Sequence, residues 1–251
     1  SALTTLDFSK KLLTGNLPSE VRHLSFLRYL RLYSNFLTGP LPSEIGLMSK
    51  LTSLFLRDNS FSGTIPSEMV LMLVANECYL TIEGNQVDKS VVLPSEIGLL
   101  SSLTSLAVSG LQVVAPLPSE LWLLTALQQL DLSDHSLVGT LPYGIGPLTS
   151  LTKLDLSNNF LTGGLPSEAG LLKALTYLNL FNNSFTGAIT TIVPMEVAQL
   201  ANHRLRELDI SGMNLSGTIP PVLCSLGSSN LLFDCSNSLC GCDWCSCLFR
   251  A

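Results

Sequence analysis

The apolar positions of this chain follow one short rhythm, clearest from Leu151 onward. Leu151, Leu154 and Leu156 alternate with polar Lys153, Asp155 and Ser157, a period-two pattern that predicts a short strand with one buried face. Asn159 follows, then Leu161, the pair Gly163-Gly164, Leu165 and Pro166. Written as a pattern this is LxxLxLxxNxLTGxLPSExGLL, and it recurs with a basic period of 24 residues. Leu17, Leu41 and Ile65 each open a Pro-Ser-Glu segment at that interval. Leu93, Leu117 and Leu165 do so after one longer step, while Leu141 keeps the register but is followed by Pro-Tyr-Gly. A fixed period of this length is the mark of a solenoid.

Each part of the phrase has a physical role in a stacked coil. One strand per coil places successive strands in parallel, about 4.8 Å apart. Asn159 ends its strand, and inside the turn its amide can both donate to and accept from backbone groups of neighbouring coils. Gly163 and Gly164 allow a sharp bend, and Pro166 fixes an extended exit. The stretch SEAGLLKAL that follows is too short for more than a turn or two of helix. A single coil cannot bury its own leucines, so stacking makes the core. The expected fold is an α/β-type solenoid with a parallel concave sheet and short 3-10 or irregular convex segments. About nine coils occupy residues 1–218, and residues 219–251 form a final coil and a cysteine-rich cap.

Two coils break the period. From Ile65 to Leu93 the repeat spans 28 residues. Here MVLMLVANECY reads as a convex insertion and VDKSVV as a second bulge, making the coil at 65–92 irregular. The coil at 189–218 carries about six extra residues, in ITTI near Ile189 and AQLANHR near Leu200. Leu111, His135 and Met213 stand where other coils have asparagine. His135 beside Asp134 lacks a nucleophile or third partner, so it reads as a polar filler of the turn rather than a catalytic base. Cys78 has no nearby partner in sequence and reads as a buried free thiol.

Composition narrows the function classes. Hydrophobic residues make up 46% of the chain and charged residues only 13%, as a leucine spine in every coil requires. The net charge of -6 excludes nucleic acid as the expected partner, and no lysine cluster marks an anionic membrane surface. No run of about 18 apolar residues predicts a membrane span. Leu3, Leu6 and Phe8 match Leu151, Leu154 and Leu156, so the chain begins inside a coil. An N-terminal portion upstream is therefore expected, with room in it for a secretion signal or an anchor. No triad, metal-ligand set, phosphate loop or cofactor motif is present, and no enzyme activity is expected.

Six cysteines crowd the end: Cys224, Cys235, Cys240, Cys242, Cys245 and Cys247. An open solenoid needs its last coil covered, and cysteine pairs fix such a cover in an oxidising compartment. Zinc is the alternative, through Cys242-x-x-Cys245. Zinc frameworks separate two such pairs, whereas four of these thiols fall within eight residues, which favours bridges. Asn182 and Asn214 each open an Asn-x-Ser sequon, and with the cysteines they point to an extracellular, secreted or cell-surface setting.

The LTGxLPSE phrase resembles the plant-type extracellular leucine-rich repeat across nearly the whole chain. The PSEIGLL wording and the cysteine-rich ending look most like secreted or surface leucine-rich repeat proteins of diatoms. The middle coils resemble, more distantly, polygalacturonase inhibitors and receptor-kinase ectodomains, whose paired-cysteine N-terminal cap is absent here. The resemblance implies non-catalytic binding of a protein, peptide or glycan on the concave sheet.

In this register two outward stripes can be read, Asp7, Arg31, Phe55, Thr81, Ala107, Asp131, Asp155, Asn179 and Asp209, and Ser9, Tyr33, Arg57, Glu83, Ser109, Ser133, Ser157, Phe181 and Ser211. Most members are small or acidic, the covering of a solvated sheet. Arg31, Tyr33, Phe55 and Arg57 form one exception, and Phe181, taken with Tyr177 just outside the stripes, the other; arginines and aromatics dominate interface energetics. A structural cell-surface rod without a ligand is the second reading. An ice- or mineral-surface binder is the third, although the stripes are mixed in charge and size. If the six terminal cysteines form three bridges, intact mass without reductant falls about six hydrogen masses below that of the reduced chain. Cys78 then labels only after denaturation, and stoichiometric zinc with free terminal thiols would sink the disulfide reading.

Overall fold

The computed structural model describes residues 3–108, 111–114, 116–227 and 230–233. It divides into two compact units, residues 1–100 with 106–114, and residues 101–105 with 115–251. In the first unit the strands Thr5–Asp7, Tyr29–Arg31, Ser53–Phe55 and Tyr79–Thr81 form a parallel sheet in chain order. Its register pairs Asp7 with Arg31, Arg31 with Phe55, and Phe55 with Thr81. In the second unit Gln129–Asp131, Lys153–Asp155, Tyr177–Asn179, Glu207–Asp209 and Leu231–Leu232 pair in the same manner. The leucines behave as the alternation requires: Leu30, Leu54, Leu154, Leu156 and Leu178 are buried.

Opposite these sheets, most coils carry a short 3-10 helix that begins just after the repeat's proline, as at Ser19–His23, Ser43–Leu47 and Ser167–Leu171. Each such proline is extended, which the pyrrolidine ring favours and which stops the strand-side chain from running straight into a helix. The irregular coil at 65–92 holds a nine-residue α-helix, Ser67–Ala75, instead. Met69, Val70, Met72, Leu73 and Val74 are buried there, so the apolar insertion is paid out into core rather than a loop. Asn76 then donates to the carbonyls of Met48 and Leu51 in the preceding coil. The VDKSVV segment is not a simple bulge. Gln86–Asp88 pairs with Ser60–Thr64, and Ser90–Val91 pairs with Gln112–Val113 in the next coil, the Asp88 carboxylate accepting the Ser90 N–H at the switch.

Gln86–Asp88 belongs to a second set of strands, one that the alternation does not predict. In the first unit Thr14–Asn16, Phe36–Pro40, Ser60–Thr64 and Gln86–Asp88 make a further four-stranded parallel sheet. In the second unit Val138–Gly139 pairs with Phe160–Leu161, and Thr186–Ala188 with Asn214–Ser216. The insertions of the coil at 189–218 fold as helical turns, Ile189–Ile192 and Gln199–Asn202, with Met195–Ala198 between them.

The Pro-Tyr-Gly departure at Leu141 has a packing cause. Elsewhere the glycine at this position lies against the glutamate of the next coil: a Cβ on Gly46 in SEIGL would stand 2.5 Å from Glu68 backbone, and one on Gly170 in SEAGL 2.6 Å from Glu196. Trp122 takes the glycine's place in SELWL and is buried. The next coil answers with Gly144 where glutamate would be, and a Cβ there would meet the indole at 2.9 Å.

The asparagines form the expected ladder. The Asn159 side-chain carbonyl accepts the Leu137 N–H at 3.0 Å, while its amide donates to the carbonyls of Leu132 and Leu156. Asn35, Asn59, Asn85 and Asn183 repeat this from coil to coil. His135 is buried in the same position, and burial pushes its pKa below the usual 6.5 against the opposing pull of Asp131 and Asp134.

Two outcomes are expected. Asn159→Leu orphans buried backbone groups and lowers stability by about 1–3 kcal/mol; an unchanged urea midpoint would show the ladder to be dispensable. Because the folded His135 resists protonation more than the unfolded chain does, stability falls as pH drops below about 6.5. His135→Asn restores the repeat's residue and removes that contribution. Its urea midpoint therefore loses less than that of the unmodified chain between pH 7.5 and pH 5; identical losses would exclude His135 as a contributor.

Candidate functional site

The first unit's sheet gathers all four residues of the first predicted cluster. Arg31 lies beside Phe55 in the register, and its guanidinium carbon stands 5.8 Å from the Phe55 ring centre. Arg57 stands 5.5 Å from the ring centre of Tyr33. Both follow from matching positions in adjacent coils, which the stacking holds one strand spacing apart. Arg31 also leans on Asp7 at 3.4 Å and Arg57 on Asp58 at 3.8 Å. The Asp7 carboxyl is held below its ordinary range, first by the hydroxyl and N–H of Ser9 and then by Arg31.

Tyr79 completes the group, and the two outward stripes do not contain it. It occupies the first residue of its strand, the position that holds Tyr177 further along, and its ring meets Phe55 edge to face at 6.0 Å. A third stripe, starting Thr5, Tyr29, Ser53 and Tyr79, would have found it. Arg31, Tyr33, Phe55, Arg57, Tyr79 and Thr81 line an open depression of about 410 Å³. At its wall the Thr81 Oγ1 is buried and has no hydrogen-bond partner.

The second cluster is organised differently. The Tyr177 hydroxyl lies 3.3 Å from Asp155 and accepts from Asn179, and Lys153 stands 5.6 Å from its ring centre while pairing with Asp131 at 2.7 Å. Burial, then the charge of Asp155, raises the Tyr177 pKa. Burial also works against the charged form of Asp131, yet Lys153 and Ser133 hold its pKa below the ordinary value. Phe181 is partly exposed and stands over Gly212, whose added Cβ would meet its ring at 3.1 Å; no ring contact joins it to Tyr177. Tyr177 is thus part of an internal polar network.

That network corrects the reading of the acidic stripe as a solvated covering. Asp155, Ser157 and Asp209 are buried, and each Asp accepts from the N–H and hydroxyl of the serine two residues on.

Asn182 is exposed, in left-handed backbone, and donates to Asn158, which donates to Asp134. Asn214 is exposed at the start of the strand Asn214–Ser216. Of the cap cysteines, Cys224 is half-buried on Pro221–Leu226; Cys235, Cys240, Cys242, Cys245 and Cys247 lie outside the described residues. Cys78 is free and buried, and burial pushes its pKa to about 12. Among the described residues no group of His, Cys, Asp and Glu is placed to hold a metal, and no helix is long and apolar enough to cross a membrane.

Comparison with known proteins agrees with this architecture. Family models described as Leucine Rich Repeat match residues 26–48, 50–71 and 204–226, and one described as Leucine Rich repeats (2 copies) matches residues 149–192. No curated protein sequence matches the chain. Among solved structures, the ectodomain of the receptor kinase GASSHO1/SCHENGEN3 from Arabidopsis thaliana, in complex with CASPARIAN STRIP INTEGRITY FACTOR 2, is 34% identical with a TM-score of 0.67. The match covers 94% of this chain and 27% of that one. The Arabidopsis receptor kinase HAESA, in complex with the peptide hormone IDA and the co-receptor SERK1, is 30% identical over 98% of this chain and 39% of its own, with a TM-score of 0.67. A plant ice-binding protein is 27% identical over 97% of this chain and 77% of its own, with a TM-score of 0.58. The chain therefore spans well under half of these two receptor ectodomains.

Proposed function

We propose that this plant-type leucine-rich repeat solenoid is a non-enzymatic recognition module, binding a protein, peptide or glycan ligand on the sheet face of its first unit. The carrying observation is the depression formed by Arg31, Tyr33, Phe55, Arg57, Tyr79 and Thr81. Its two guanidiniums are held against rings before any ligand arrives, which lowers the entropy lost on binding. The similarity to peptide-bound receptor ectodomains supports a binding role, and leucine-rich repeat domains are typically non-catalytic binding modules. Residues 219–251 are read as a disulfide cap, and Asn182 and Asn214 as glycosylation sites. With these the setting is extracellular, in a secreted or surface protein of the kind the PSEIGLL phrase suggests for diatoms. Tyr177 and Phe181 are a subsidiary contact at most, because the Tyr177 hydroxyl is already engaged.

The similarity to a plant ice-binding protein favours a surface-binding alternative, which would draw on flat rows of Thr and Ser rather than on this depression. The two readings separate experimentally. Replacing Tyr33 and Arg57 together with Ala weakens capture of the partner, once it is isolated from the native surface proteome, by about 2 kcal/mol or more, with the thermal midpoint preserved. Tyr143→Ala, an exposed aromatic on the 3-10 segment Tyr143–Ile145 of the second unit, leaves capture unchanged. Equal small losses in the two proteins would overturn the recognition site and favour the rod or surface-binder reading.

A further inference from the structure

We infer that the ligand of the first-unit depression is an extended acidic peptide segment whose carboxylates lie two residues apart. This rests on the recognition reading above and narrows it. The first ground is what the rings leave open. Neutral sugars are commonly held by a bare aromatic face with carboxylate or amide groups to receive their hydroxyls. Here a guanidinium already stands over the face of Phe55 and another over Tyr33. None of the six lining side chains is a carboxylate or an amide. The lining offers donors instead: two guanidiniums and the hydroxyls of Tyr33 and Tyr79. Such a wall fits a ligand rich in acceptors.

The second ground is spacing. Arg31, Phe55, Tyr33 and Arg57 form a checkerboard, cations on one diagonal and rings on the other. Strands about 4.8 Å apart and a two-residue advance of about 6.6 Å put the two arginine backbones about 8 Å apart. In an extended peptide, side chains two residues apart share a face at about 6.7 Å, a difference the flexible Glu and Arg stems absorb.

The third ground is charge. The contacts to Asp7 at 3.4 Å and Asp58 at 3.8 Å are longer than the roughly 2.8 Å of a strong charged hydrogen bond, so a ligand carboxylate can displace them. Residues 1–100 hold eight of the thirteen Lys and Arg and nine of the nineteen Asp and Glu, a net of -1, which leaves -5 to the rest. The chain's acidity therefore does not oppose an acidic ligand at this face.

The test titrates the full chain, up to millimolar peptide, with fluorescein-labelled heptapeptides that share Gly-Ser flanks. Their centres are Glu-Ala-Glu, Glu-Glu-Ala and Gln-Ala-Gln. The Glu-Ala-Glu peptide is expected to bind about tenfold or more tighter than Gln-Ala-Gln, as loss of charged hydrogen bonds implies, and measurably tighter than Glu-Glu-Ala. Arg31→Gln and Arg57→Gln each remove that preference while Tyr143→Ala retains it, the thermal midpoint being checked for every variant. Equal binding of Glu-Ala-Glu and Gln-Ala-Gln, weakened by Phe55→Ala, would overturn the acidic class and leave the recognition site standing. Arginine-dependent binding of a sulfated or uronic oligosaccharide, with no peptide bound, would overturn the peptide class alone. Binding of none of these probes overturns the inference, and capture of the native partner then decides the wider reading separately.

Discussion

Once leucines from stacked coils have dried the interior, the backbone groups in each turn need partners that water can no longer supply. The asparagine ladder meets that need. Asn159 takes up the Leu137 N–H and the Leu132 carbonyl of the coil before it as well as the Leu156 carbonyl of its own. An amide that bonds across two coils fixes their separation, and the separation fixes everything on the sheet face above. Arg31 meets Phe55, and Arg57 meets Tyr33, because the coils cannot slip relative to one another. The recognition surface is in this sense a consequence of a buried hydrogen bond.

Much of the fold was legible for the same reason. Leu154 and Leu156 alternate with polar residues, and Asn159 follows at a fixed offset, so strand, turn and stacking direction were readable together. The second row of strands was not. In Phe36–Pro40 only Leu37 is buried, and the segment contains Gly39 and Pro40, residues that weaken a strand. It forms because neighbouring coils supply ready partners at strand spacing, a condition that no single segment records. The form of the helix Ser67–Ala75 is likewise not legible in the sequence, since a short unbroken apolar run does not distinguish helix from strand.

The site divided along similar lines. Arg31, Tyr33, Phe55 and Arg57 were readable because register alone makes them neighbours. Tyr79 escaped because it sits one position outside the two stripes, and the unpartnered Thr81 hydroxyl is a property of packing that no sequence spacing carries. Asp155 and Asp209 show the opposite error. Their positions face outward, yet both carboxylates are buried and hold the serines two residues on. Facing away from the leucine core is a statement about backbone direction, whereas burial depends on how large the neighbours are.

The swap at Trp122 and Gly144 shows how such a scaffold tolerates departure. Glycine against the next coil's glutamate is the regular pairing, as at Gly46 with Glu68, and a tryptophan in the glycine's place would collide with it. The chain carries both changes at once, a large residue in one coil and a glycine in the next, so the stacking distance is kept. Variation on this side of the coils must be compensated within one repeat because the core is close-packed. On the sheet face of the first unit no such partner is demanded, since outward side chains such as Arg31 and Arg57 meet solvent as well as their neighbours. Residue identity there can change without disturbing the ladder beneath, and that is where Arg31, Tyr33, Phe55 and Arg57 stand together.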